Sequence, residues 1–288
     1  MATKAQQRRF INTADEHQQH IIKQLHAAGR SRGLDRVWSD WVEMGAIAIA
    51  NAVDRTRFTQ REQRYLDIVA QYQKEEVHCL ANAFAHLVQC WEQRAVTGEF
   101  GDVLGATFMM MDMGNAGTGQ FFTPYEVSRM MAEMILGDEA TLKAQLQTRG
   151  FLTLQEPASG AGGMIIAAAH VLANAGINYQ QALHVTAIDV DRRCAHMTFL
   201  QLALLHVPAV VIQGNALTLE TVEIWYTPAH ILGGWSRRLR QQQSISDAAQ
   251  LLMPQPKPTQ QEHNTDVPEQ HVEQAISKGI QEGQMSLF

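Results

Sequence analysis

The chain has 288 residues, 23 Lys plus Arg against 29 Asp plus Glu, and a formal net charge of −6. A charged share of 18% beside an apolar share of 45% excludes an acidic disordered protein and a histone-like basic binder. The length allows one large domain or two small ones, and any basic surface must be local. Cys79, Cys90 and Cys194 are odd in number and far apart, so reduced thiols are expected rather than a disulfide framework. The twelve histidines show no zinc spacing, and no metal site is expected. No apolar signal core follows the basic start, and the longest apolar stretch, around Met164 to Ala169, is too short to span a bilayer. A cytoplasmic protein is expected.

From Ile11 to about Phe108 apolar residues recur at three and four spacing, which predicts a helical domain over 1–114. Trp38, Trp41, Met44 and Ile47 form one such stripe, and Val77, Leu80, Phe84, Leu87 and Trp91 another; both are expected in the core. A glycine-rich break, MGNAGTGQ, spans 113–120. Beyond it short apolar strands alternate with helices: FLTLQ, GMIIAAAHVLANAG, HVTAID, CAHMTFLQLALLH and AVVIQGN. That alternation predicts an α/β domain with a parallel sheet over 115–240. After Trp235 the chain becomes polar and Gln-rich and is broken by Pro254, Pro256, Pro258 and Pro268, which predicts a disordered tail over 241–288. Arg237, Arg238 and Arg240 form a small basic cluster there, a solvated run or a phosphate contact.

The most informative segment is EPASGAGGMI. A strand ends at Glu156, a glycine loop follows, and a helix starts near Met164. Gly160, Gly162 and Gly163 permit positive φ and close approach of a ligand to the backbone. The third glycine of a pyrophosphate fingerprint would fall at Ile165, so the loop is a poor phosphate cradle. Glu156 would repel a phosphate and suit a ligand bearing an ammonium group, such as S-adenosylmethionine. The next strand ends at Asp189, placed to accept both ribose hydroxyls of a nucleoside. The third ends at Gly214–Asn215, where an amide could read an adenine edge. Asp191 fits a helix cap better than a ligand contact.

Taken in order, GQFFTPYEVSRMMAEMI, EPASGAGGMI, AIDVDRRCAHMTFLQLALLH and VVIQGNAL resemble the γ-type N6-adenine methyltransferases of DNA, such as the modification subunits of type I restriction systems. The resemblance covers about residues 115–220. It implies a Rossmann-like methyltransferase sheet, S-adenosyl-L-methionine as cofactor and DNA as partner. It implies further that Phe122, Thr123 and Pro124 lie beside the methionine part of the cofactor, that Glu156, Ser159, Gly160 and Gly162 hold its backbone, and that Asp189 binds the ribose. Asn215 stands where the family usually has Asp. Thr123–Pro124–Tyr125–Glu126 also reads as a capping box, and Met130, Met131 and Met134 as helix core.

Methylation at adenine N6 needs acceptors for the amine hydrogens, and the family supplies them with an Asn/Asp–Pro–Pro–aromatic motif after its fourth strand. This chain has no such motif. Thr227, Pro228 and His230, after the strand-like VEIWY, are the nearest candidates, with a hydroxyl in place of the carboxamide and an imidazole in place of the aromatic ring. The expected sheet is shortened relative to the family, or a second chain completes it.

The last five residues, Gln284, Met285, Ser286, Leu287 and Phe288, resemble the bacterial sliding-clamp-binding peptide. A tail presenting Leu and Phe to an apolar pocket gains about 1.5–3 kcal/mol per buried side chain, less the cost of ordering. Three functions stay open at this point: an adenine-N6 DNA methyltransferase that follows the clamp; a binding protein of the same descent, an anti-restriction or regulatory factor of a plasmid or phage; or, since the recognition region is missing, a methyltransferase of protein or small molecules.

Overall fold

The computed structural model describes residues 14–29, 32–113 and 122–252. Helices α1 (Glu16–Ala28), α2 (Leu34–Val53), α3 (Phe58–Val69), α4 (Lys74–Thr97) and α5 (Val103–Met110) build the first part. Their ends carry the expected signals. Asp15 caps α1 by accepting from the Gln18 amide at 2.8 Å, and α4 opens on a Gln73–Glu76 capping box and closes on left-handed Gly98. Both predicted stripes face inward: Trp38, Trp41, Met44, Ile47, Leu80, Leu87 and Trp91 are buried, with Val77 and Phe84 packed against them.

Two helices, α6 (Tyr125–Leu136) and α7 (Glu139–Arg149), lead into the sheet part, where β1 (Leu152–Glu156), α8 (Gly163–Asn174), the short α9 (Tyr179–Ala182), β2 (Leu183–Asp189), α10 (Arg192–Leu204) and β3 (Ala209–Asn215) alternate. β1, β2 and β3 pair in parallel in that order. The last strand, β4 (Glu220–Tyr226), turns back antiparallel to β3 with a register shift at Gln213/Gly214. Helices α11 (Pro228–Leu232) and α12 (Trp235–Leu252) follow.

Helices α8 and α10 are buried nearly all round, as a helix in the middle layer must be. On one side they meet the sheet, through Leu154, Val185, Ala187 and Val211. On the other, α2 packs on α10 and α6 on α8. One connected apolar core runs from Ile21 to Trp225. The opposite face of the sheet is barer: Thr153, Gln155 and Val222 are exposed, and β1 has no strand on its outer side among the described residues. Parallel sheets are ordinarily covered on both faces, so this is half of a doubly wound arrangement.

Three sequence expectations are corrected here. Helix α12 continues to Leu252, so the expected tail is helical over 241–252; no Gly or Pro interrupts the chain between Trp235 and Met253. Helix α6 starts at Tyr125 with Pro124 as its cap residue and no side-chain capping bond, so the box predicted on Thr123 does not form. Met130 and Met134 are exposed, and only Met131 packs against the core. Residues 114–121, with most of the glycine-rich break, and 253–288, with the clamp-like peptide, lie outside the described residues. All three cysteines are free, and no helix among the described residues is long and apolar enough to cross a membrane.

Candidate functional site

Parallel pairing sets Glu156 and Asp189 at the same, carboxyl edge of the sheet, at the tips of β1 and β2. The glycine loop folds between them. Ser159 donates its backbone N–H to the Ile188 carbonyl at 2.9 Å, and the Gly160 amide donates to Asp189 Oδ2 at 2.8 Å. Gly160 (φ 55°) and Gly162 (φ 93°) both take the left-handed region the sequence anticipates. A Cβ on Gly160 would stand 3.0 Å from the Phe122 ring, which packs over the loop and against Phe108. Phe122 is therefore beside the loop, while Thr123 and Pro124, next in the chain, are exposed.

Electrostatically this edge is unbalanced. Glu156 is 1% exposed; its Oε1 accepts from the Ala158 amide at 3.1 Å, and its Oε2 has no hydrogen-bond partner among the described residues. Burial, with the Asp189 charge adding to it, pushes the Glu156 carboxyl above its ordinary range. Burial likewise raises Asp189, although the Asp191 and Gly160 amides partly offset it. No Lys, Arg or His forms an ion pair with either carboxylate among the described residues. Two desolvated acids side by side with no cation make a site complementary to a positively charged ligand.

Behind the loop is a polar network that sequence reasoning missed. Asp102, fully buried and with its carboxyl raised by burial, caps α5 through the Gly105 amide. Its Oδ1 also accepts from Gln201 Nε2 at 2.8 Å; that nitrogen donates to the Ala161 carbonyl at 2.6 Å as well. Gln201 Oε1 takes the Leu104 amide, while Thr198 Oγ1 binds the Gly160 carbonyl and Ser159 Oγ. A Cβ on Gly163 would stand 3.2 Å from Asp102 Oδ2, and one on Gly162 3.3 Å from Thr198 Oγ1. The loop is thus braced from the helical region. An Asp just ahead of the apolar run VLGATF is the one sequence signal for it.

Asn215 ends β3 on the same edge, but its Oδ1 accepts from Leu217 and Thr218 amides in the turn to β4, which leaves only Nδ2 for a ligand. Asp191 caps α10, as expected.

Thr227, Pro228 and His230 lie elsewhere, at the opposite edge of the sheet from Glu156 and Asp189. Because β4 runs antiparallel, its end returns to the amino edge, beside Ala209 and some six residues, roughly 20 Å, from the tip of β3. The Thr227 hydroxyl is fully buried, accepting from the Ala209 amide at 2.9 Å and donating to the Val207 carbonyl at 2.8 Å. Both His230 ring nitrogens are engaged, Nδ1 with His184 Nε2 and Nε2 with Ser236 Oγ, each at 2.9 Å. Trp235 packs on His184 and on Phe151, and Arg238 lies 3.7 Å over Trp235, so that arginine of the basic cluster serves packing.

Fold and edge define a half-wound α/β protein whose glycine loop and acidic strand tips meet at the carboxyl edge. The model of the N-6 DNA methylase family matches residues 97–244, more than half of the chain, and the chain belongs to that family. The cofactor that goes with this family is S-adenosyl-L-methionine. The orphaned, buried Glu156 Oε2 fits that molecule, which carries an ammonium and a sulfonium. No curated protein matches the chain. Among solved structures, a class I S-adenosylmethionine-dependent methyltransferase from Listeria monocytogenes is 14% identical at a TM-score of 0.39, over 68% of this chain and 52% of that one. The chain spans about half the length of that structure. Among the described residues no group of His, Cys, Asp and Glu is arranged to hold a metal ion.

Proposed function

We propose that this chain is the cofactor-binding part of an adenine-N6 DNA methyltransferase, and that a second chain supplies the groups that accept the amine hydrogens. One observation carries the reading: two raised carboxylates, the buried Glu156 and the half-buried Asp189, stand at the strand tips without a cation among the described residues. Bound there, the cofactor supplies an electrophilic methyl group. Glu156 offers its free oxygen to the ammonium, Asp189 the remaining acceptor capacity of its carboxylate to the ribose, and Phe122 closes over the loop.

The second chain is argued from what β1 leaves open. In a doubly wound sheet the ligand crevice lies where strand order reverses, and that place is the outer side of β1, unpaired among the described residues. A strand added there would carry its following loop to Glu156. Thr227 and His230, bonded into the opposite edge, support assigning that part to another chain. This same fact favours a second reading, in which the chain holds cofactor and DNA without transferring methyl groups, as an anti-restriction or regulatory factor. The peptide Gln284–Phe288 supports association with a bacterial sliding clamp under either reading.

Transfer of labelled methyl to unmethylated DNA separates the two. Purified chain alone is expected to transfer none, and extract of the native host containing the chain to transfer more than extract from a strain lacking it. Equal labelling in the two extracts would leave only the regulatory reading. Deleting Leu287 and Phe288 is expected to abolish co-elution with the clamp; unchanged co-elution would remove the clamp from the proposal.

A further inference from the structure

A cavity of about 500 Å³ opens where α2 and α3 meet β3, β4 and the start of α10, within the usual size of a ligand site. Four guanidinium groups line it: Arg57, Arg61, Arg64 and Arg192. Their partners do not match them in number. Glu43 alone serves two, binding Arg64 through both oxygens at 2.7 and 2.8 Å and standing 3.5 Å from Arg192. Arg61 pairs with Asp54 at 2.8 Å and lies 4.4 Å over the Trp225 ring. Arg57, exposed on the rim, has no carboxylate in ion-pair reach among the described residues.

The wall also has N–H donors without acceptors. Arg61 Nε and Trp225 Nε1 are both buried and unpartnered among the described residues. Burial raises the carboxyl of Glu223, the one further acid of the lining, while Arg61 and Arg57 draw it back down. Even with Glu223 charged, the four arginines outnumber the acids Glu43, Glu223 and the Arg61 partner Asp54 by one, in a chain whose net charge is −6. A local positive site of this kind is where an anion collects on an otherwise acidic protein.

Position narrows the ligand. Gln213 lines the cavity and is the register partner of Asp189, so the cavity lies one strand, about 5 Å, along the same carboxyl edge. We propose that this arginine-lined cavity receives backbone phosphates of a polynucleotide and so holds DNA against the edge that carries Glu156 and Asp189. The choice of a polynucleotide rests on the methyltransferase reading; the anion site itself does not.

The test uses the full chain and a fluorescein-labelled DNA duplex, followed by anisotropy over a salt series. The exposed Arg57 side chain makes no hydrogen bond or ion pair among the described residues, so Arg57→Gln and Arg57→Glu leave the fold alone. Arg57→Gln is expected to weaken binding several-fold across unrelated sequences and to reduce the salt slope by about one, with Arg57→Glu weaker still. Wild-type affinity and slope in both variants would overturn the proposal, as would absence of duplex binding by the parent chain. Inorganic phosphate that displaces the duplex at micromolar concentration would overturn it in favour of a free-anion site. Binding of S-adenosyl-L-methionine, titrated on the same preparations, is expected to be unchanged by Arg57→Gln. If the parent chain does not bind it while the duplex results hold, the cofactor reading falls and the phosphate site stands.

Discussion

The two edges of the sheet hold similar polar residues in opposite conditions. At the amino edge, Thr227, His184, His230 and Ser236 bond one another and the neighbouring backbone, with Trp235 and Phe151 packed around them. At the carboxyl edge, Glu156 keeps a buried oxygen with no partner among the described residues, and its carboxyl and that of Asp189 are both raised by burial. A buried polar group that has its bonds supports the fold, whereas one that lacks them costs the fold stability and awaits a ligand. The difference therefore separates structure from function more sharply than residue type does.

The largest expected effect is at Glu156. Removing one partner of a buried charged contact costs about 2–5 kcal/mol of binding, so Glu156→Gln should weaken S-adenosyl-L-methionine binding by roughly a hundredfold, as read by calorimetry. The same substitution should raise the melting temperature of the free protein, because it removes a desolvated charge. Thr227→Val should show the reverse pattern. It strands the Ala209 amide and the Val207 carbonyl, costs about 1–3 kcal/mol in denaturant unfolding, and leaves cofactor affinity within twofold.

Acid should push the two edges in opposite directions. His184 is held down to about 3 from an ordinary 6.5, chiefly by burial. Its share of stability is complete above 6.5 and is lost as pH falls toward 3. Glu156 is raised above an ordinary 4.5, so its share is absent at neutral pH, returns as pH falls through the raised value, and is complete below 4.5. The stability advantage of Glu156→Gln over the parent should accordingly shrink to nothing in that window. An advantage independent of pH would contradict the assignment. The smallest effect is expected at Gly160, where Ala must hold φ near 55° and press on Phe122. A loss of about 1–2 kcal/mol follows, with cofactor affinity reduced alongside.

Much of this was legible in the sequence, for local reasons. The glycine loop, the three parallel strands and the two apolar stripes follow from turn chemistry and periodicity within short windows. The amino-edge position of Thr227 was not, because it depends on β4 reversing through Asn215 to Leu219, a turn without the Asn-Gly or Asp-Gly signal of a tight hairpin. Asp102 was hidden for another reason: its partner Gln201 lies 99 residues away. Helix α12 gives no sequence signal because its Gln-rich segment lacks an apolar period.

Cofactor binding at the carboxyl edge turns on Glu156 and its Oε2, unpartnered among the described residues. Titration of S-adenosyl-L-methionine into the full chain and into Glu156→Gln at neutral pH tests it most directly. Saturable binding by the parent chain that drops about a hundredfold in the variant is the predicted result. Equal affinity in the two, or no binding by the parent chain, would contradict it.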